Sequence, residues 1–140
     1  MSNRKLLSAA LIVFGVIFCL IVPLAIVWPS GWAWHDGAPG ASPYFPMIAG
    51  VYATLGIFLI RAAKDPAANA SLIWFTVVSS IVHAAIMAVQ SLQAPDQAGH
   101  LVGDVPALLL VAVVLGALMH RTNGEADAPH QRRSGDRLEA

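Results

Sequence analysis

One histidine, His83, lies inside the otherwise apolar run SSIVHAAIMAVQ, residues 79–90. At seven-residue steps Asn69, Thr76, His83 and Gln90 follow one helical face, and Ser79 and Ser80 sit one turn before His83 on the same side. Three chemistries suit such a row. A histidine in a membrane helix can hydrogen-bond a neighbouring helix, worth about 1 kcal/mol or less. An ionisable group there is costly and often marks a path or a site. A serine beside a histidine suggests nucleophilic catalysis, but that needs a third, orienting carboxylate, and none is placed next to the pair. No catalytic residue is therefore assigned, and the interhelical hydrogen bond leads.

Tyr52 is the expected partner. It lies in MIAGVYATLG, near the middle of its own apolar run and surrounded by Ala49, Gly50, Ala53, Thr54 and Gly56. Small residues let helices approach closely in lipid. A contact between Tyr52 and His83, direct or through water, follows if the two runs form an antiparallel hairpin. The candidate intramembrane polar site is thus His83, Tyr52, Thr76, Ser79, Ser80 and Gln90. Ile73, Val77, Ile81 and Ile86 fall on the other faces and are expected toward lipid or outer packing. Ala112 and Gly116 offer a second close-packing pair.

A second cluster is expected on the outer side. Asp104 is the carboxylate closest to a span there, and Gln90 and His100 can approach it; a helix-capping role for Asp104 is favoured. His35 and Asp36 in WAWHDG complete a loose His/Asp set, whose spacing matches no zinc motif. No metal is assigned. A b-type haem needs axial ligands facing across a bundle, and His83 is the only histidine deep in a span. No cofactor is assigned either.

The elements that must position these residues follow from composition. The chain has 140 residues, 57% hydrophobic and only 11% charged, with mean hydropathy +0.67. Soluble domains carry about 25% charged residues. Four apolar stretches, at about 6–28, 44–62, 70–92 and 103–120, are long enough to cross a bilayer as helices, the last only with its flanks in the headgroup layers. The expected fold is all-α: a transmembrane four-helix bundle over residues 1–121, then a polar, disordered tail over 122–140. Ser42 with Pro43, Asp65 with Pro66, and Asp104 ahead of Pro106 read as helix starts. Pro23 should kink the first span. The short inner connection RAAKDPAANA predicts a tight antiparallel hairpin of spans two and three.

Charge placement sets the orientation. Arg4, Lys5, Arg61, Lys64, Arg121, Arg132, Arg133 and Arg137 all fall on one side of a four-span arrangement. By the positive-inside rule both termini are cytoplasmic. Trp28, Trp32, Trp34 and Tyr44 collect at the opposite boundary, as an aromatic belt does. The first apolar run is too long for a cleaved signal peptide. Cys19 cannot form an internal disulfide, and no basic patch of the kind nucleic acid requires is present.

The stretches YATLGIFLIRAAKDPAANASLIWFTVVSSIVHAAIMAVQ and HLVGDVPALLLVAVVLGALM resemble an uncharacterised family of small four-span bacterial integral membrane proteins of unknown function. The resemblance covers spans two to four. It implies a bacterial inner membrane, and it carries no reaction and no site residue across.

The function expected is that of a non-enzymatic structural or accessory membrane protein, with the lipid bilayer and a homo-oligomer or larger membrane complex as its partners. The runner-up is a small transporter or proton-coupled carrier with a polar path around His83. A cofactor-binding redox subunit stands third.

Overall fold

A computed structural model describes residues 2–27, 44–93 and 99–136, with side chains up to Gly124 in the last helix. Five helices account for it: α1 Asn3–Cys19, α2 Ile21–Val27, α3 Tyr44–Ala62, α4 Ala70–Gln93 and α5 Asp104–Asp136, and there is no strand among the described residues. Three apolar helical segments are long enough to cross a membrane: Tyr44–Ala62, Ala70–Gln93 and Gly99–Gly124. The pair α1 and α2 would make a fourth, bent by 56°.

That bend has a covalent cause. Pro23 has no N–H to donate, and its ring crowds the carbonyl four residues back, at Cys19. The helix breaks there. Leu20 N–H is shared between the carbonyls of Val16 and Ile17, and the ladder resumes with Leu24 N–H on Leu20 O at 2.8 Å. The kink expected from Pro23 thus appears, displaced toward the start of the chain by about one turn.

The connection at 63–69 is built locally. The Asp65 carboxylate accepts from Ala68 N–H at 3.5 Å, and Asn69 Nδ2 donates to Asp65 O at 2.8 Å. Asp65 and Pro66 therefore shape the turn at 66–69, and α4 itself starts later, with Ile73 N–H on Asn69 O. At the head of α5, Ala107 N–H bonds Gly103 O, which puts Gly103 at the cap and Asp104 one place inside. The capping role expected of Asp104 is corrected accordingly. Ser42 and Pro43 lie outside the described residues.

The helices do not pack in chain order. α1 packs against α3 and α5, and α5 packs against α4, whereas α3 and α4 touch only sparsely. The tight hairpin expected of spans two and three is therefore wrong beyond its turn. The reason lies in glycine pairing. A Cβ on Gly15 would stand 2.7 Å from Gly56 O, and a Cβ on Gly56 would stand 2.5 Å from Gly15 O. The backbones of α1 and α3 meet there with no room for a side chain, so the small-residue face of α3 belongs to α1. On the other side Gly116 of α5 admits Val77 of α4, 3.6 Å from its would-be Cβ.

The core follows from these pairings: Leu7, Leu11 and Phe14 of α1, Leu59 of α3, Ile73 and Val77 of α4, Leu115 and Met119 of α5. Ile73 and Val77 are buried, contrary to their expected outward placement, because α5 covers that side of α4. Ile81 and Ile86 do face outward, each about half exposed. The chain expected to be disordered after 121 instead continues as helix to Asp136. Once a helix is nucleated, each further residue with a backbone N–H adds one hydrogen bond, and Pro129 is the residue of this stretch that has none to add. Glu125, Ala126, Ala128, Gln131, Arg132 and Arg133 are good helix formers.

Replacing Gly56 by leucine should destabilise the bundle by about 1–3 kcal/mol, since backbone rather than a flexible side chain blocks the new atoms. A Cβ at Gly50 meets nothing within 4 Å, so Gly50→Ala should be neutral or stabilise by up to about 1 kcal/mol. Unfolding titrations of both variants in mixed detergent micelles measure the difference.

Candidate functional site

Tyr52 Oη lies 2.6 Å from His83 Nδ1. The contact expected between them is present, and it joins α3 to α4 across a flank where the helices otherwise part. The tyrosine ring is also held from outside the pair. Phe18 of α1 meets the Tyr52 ring edge to face, with centroids 5.0 Å apart and planes at 80°. Nearby, Cys19 Sγ donates to Ala53 O at 3.6 Å. α1 thereby fixes Tyr52, and α4 carries His83 to it. Phe18 and Cys19 belong to the surroundings of the site, although no polarity in their sequence neighbourhood singles them out. Aromatic packing leaves no periodic mark of its own.

The rest of the seven-residue row separates into different roles. Thr76 is fully buried, and its hydroxyl donates to Leu72 O at 2.9 Å, one turn back in the same helix. Ser79 donates to Thr76 O at 3.2 Å. Such bonds satisfy a hydroxyl without linking helices. Ser80 is buried beside them. Gln90 is exposed near the end of α4 and makes no side-chain hydrogen bond among the described residues. The row is thus continuous in sequence, but only His83 and its serine neighbours gather around Tyr52.

Asp104 and His100 form the second polar unit. His100 Nδ1 lies 2.5 Å from Asp104 Oδ2, four residues on, and His100 is 5% exposed. A short 3₁₀ turn at 99–101 sets the histidine against the first turn of α5. The carboxylate acts electrostatically on both Tyr52 and His83, and His100 acts on His83. Val77 opposite Gly116 gives the register of the antiparallel α4 and α5. In that register Asp104 sits about 9 Å along the axis from the level of His83, at 1.5 Å rise per residue. Gln90 does not join this pair, and His35 and Asp36 lie outside the described residues. Among the described residues no group of three metal-ligating side chains converges.

A crevice of about 220 Å³ opens beside the Tyr52–His83 pair. Tyr52, Ser79, Ser80 and His83 line it together with Ile48 and Phe75. It shares Val51 and Leu55 with a wider groove of about 710 Å³ along α3. Both exist because α3 and α4 diverge on either side of their one polar bridge.

A double-mutant cycle of Tyr52→Phe and His83→Ala, read by unfolding in mixed micelles, should return a coupling of about 0.6–1.7 kcal/mol, the range of interhelical hydrogen bonds in membranes. Strictly additive variants would mean that the bond contributes nothing.

The family model described as "Family of unknown function (DUF6632)" matches residues 1–139. No curated protein and no solved structure matches the chain.

Proposed function

We propose, for a chain that belongs to this family of unknown function, a non-enzymatic role as an accessory protein of the bacterial inner membrane, one that binds within the bilayer rather than making or breaking bonds. In this reading α1 with α2, α3, α4 and the apolar part of α5 are four spans, and both termini are cytoplasmic. The Lys and Arg residues all lie on the side so assigned. Arg4 Nη2 stands 3.5 Å from Asp65 Oδ1, which sets the N-terminal segment beside the α3–α4 connection. That proximity needs an even number of crossings between the two segments, as the four-span reading has it, although an exposed ion pair adds little stability.

The observation that carries the binding role is the Tyr52–His83 bridge with an open crevice beside it. The nearby Ser79 hydroxyl donates to the Thr76 carbonyl rather than to the histidine. His83 Nδ1 is engaged by Tyr52, so its remaining hydrogen-bonding position is Nε2. These features support recognition of a hydrogen-bonding group at mid-span. Exposed apolar side chains such as Val51, Phe75 and Val113 surround the bundle and suit contact with lipid or with a partner helix.

One observation favours a carrier instead. The His100–Asp104 unit and the Tyr52–His83 pair are four titratable groups in electrostatic reach, running from the start of α5 toward mid-span. Proton flux into liposomes loaded with a pH-sensitive dye separates the two. Wild-type protein should give no flux above that of empty vesicles; flux that disappears in His83→Ala would replace the accessory reading by the carrier. In mild detergent the protein should run larger than a monomer or retain a partner, and a lone monomer would remove the accessory role. On a Cys19→Ser background, a Ser30→Cys variant should react with a membrane-impermeant thiol reagent from outside, while Ser2→Cys should react only after permeabilisation. Labelling of both from one side of sealed cells would overturn the four-span topology.

A further inference from the structure

We infer that the crevice between α3 and α4 is a lateral binding site for a neutral, lipid-soluble molecule with a single oxygen-bearing head and a long apolar body. The inference rests on the binding role proposed above and specifies its ligand class.

The head is defined by the Tyr52–His83 pair. A neutral imidazole has one donor and one acceptor nitrogen, and a phenol has one donor and acceptor lone pairs. If Tyr52 donates to Nδ1, the pair is left with the Nε2–H as donor and the phenol oxygen as acceptor. If Nδ1–H donates to Tyr52, the pair is left with the phenol O–H as donor and Nε2 as acceptor. Either tautomer therefore leaves one donor and one acceptor unused, and no hydrogen bond to Nε2 is formed among the described residues. Ser80 adds a hydroxyl to the same lining. An alcohol matches this set, because it both donates and accepts.

The head must be uncharged. No Lys, Arg, Asp or Glu lines the crevice or the groove, and an unpaired ion at that depth is costly.

The body is defined by the groove. From Met47 to Phe58 it follows α3 for about 16 Å at 1.5 Å rise per residue. Met47, Gly50, Leu55, Phe58 and Leu72 present an apolar wall with Thr54 as its polar member. The Thr54 hydroxyl is already bonded to Gly50 O at 2.9 Å, so it leaves the wall effectively apolar. Gly50 leaves its floor bare, since no side chain fills the space its Cβ would enter. The small polar alcove opens from the side of this trough through the shared Val51 and Leu55. A long-chain molecule can therefore lie along α3 and turn its oxygen toward His83.

The test uses full-length protein in liposomes and two photoactivatable probes of equal length, a long-chain alcohol carrying a diazirine and the matching alkane without oxygen. Irradiation followed by peptide mapping should place the alcohol on 47–58 and 72–83, with the alkane spread over the outward-facing residues of all the helices. Gly50→Phe fills the trough at an exposed position where an added Cβ meets nothing within 4 Å, so the fold is retained. It should abolish the focused labelling, while Val13→Phe on the outer face of α1 leaves it unchanged. Tyr52→Phe should reduce focused alcohol labelling by roughly ten-fold or less, the effect of one neutral hydrogen bond. Even labelling by the alcohol, identical patterns for the two probes, or labelling indifferent to Gly50→Phe would each overturn the site. Proton flux and oligomeric state are measured separately, so a failure of the lateral site is distinguishable from a failure of the accessory role.

Discussion

The backbone contact between Gly15 and Gly56 is the constraint on which the arrangement depends. In lipid there is no hydrophobic drive for one apolar helix to prefer another, so close approach and polar bonds decide pairing. Gly56 and Gly15 each leave space that the other's backbone enters, with Cys19 Sγ and Ile60 Cγ1 beside it. α3 is thereby committed to α1. With α4 held by α5 through Val77 and Gly116, the two neighbours in sequence are left apart. The crevice is a direct consequence, because two helices joined by a short turn and claimed by different partners must diverge.

Across that gap the Tyr52–His83 bond substitutes for packing. Phe18 presses on the tyrosine from α1, so the contact that pairs α1 with α3 also sets the position of the phenol. The bond then ties the α1–α3 unit to the α4–α5 unit on their open side, opposite the α1–α5 packing. A polar pair placed between two packed halves has structural value and leaves valences toward the opening. The proposed binding role would thus use the same two side chains as this structural one.

Much of this was legible in the residues. Of the four apolar runs expected to span, three are single helices long and apolar enough to cross a membrane; Pro23 marked the bend, and the central positions of Tyr52 and His83 in their runs marked their contact. Those features depend on local covalent chemistry or on depth along a helix. Pairing was not legible in the same way. Gly56 reads as a close-approach residue in any order of packing, and nothing local names Gly15 rather than α4 as its partner. The burial of Ile73 and Val77 failed for the same reason, since helical periodicity gives faces but not which neighbour each face meets. Asp104 read as a cap because a carboxylate near a helix start has that chemistry available. His100, set back by a 3₁₀ turn, claimed the carboxylate instead.

The sequence by itself determined that the chain forms apolar helices long enough to cross a membrane, and which residues are polar within those runs. Run length, composition and charge are properties of the chain, independent of how its helices meet. Only the tertiary structure decided that α3 and α4 separate around Tyr52 and His83, that Phe18 supports the pair, and that a polar alcove opens onto an apolar trough. Those outcomes depend on sub-ångström differences in how closely backbones can approach, and such differences exist only when both helices are in place.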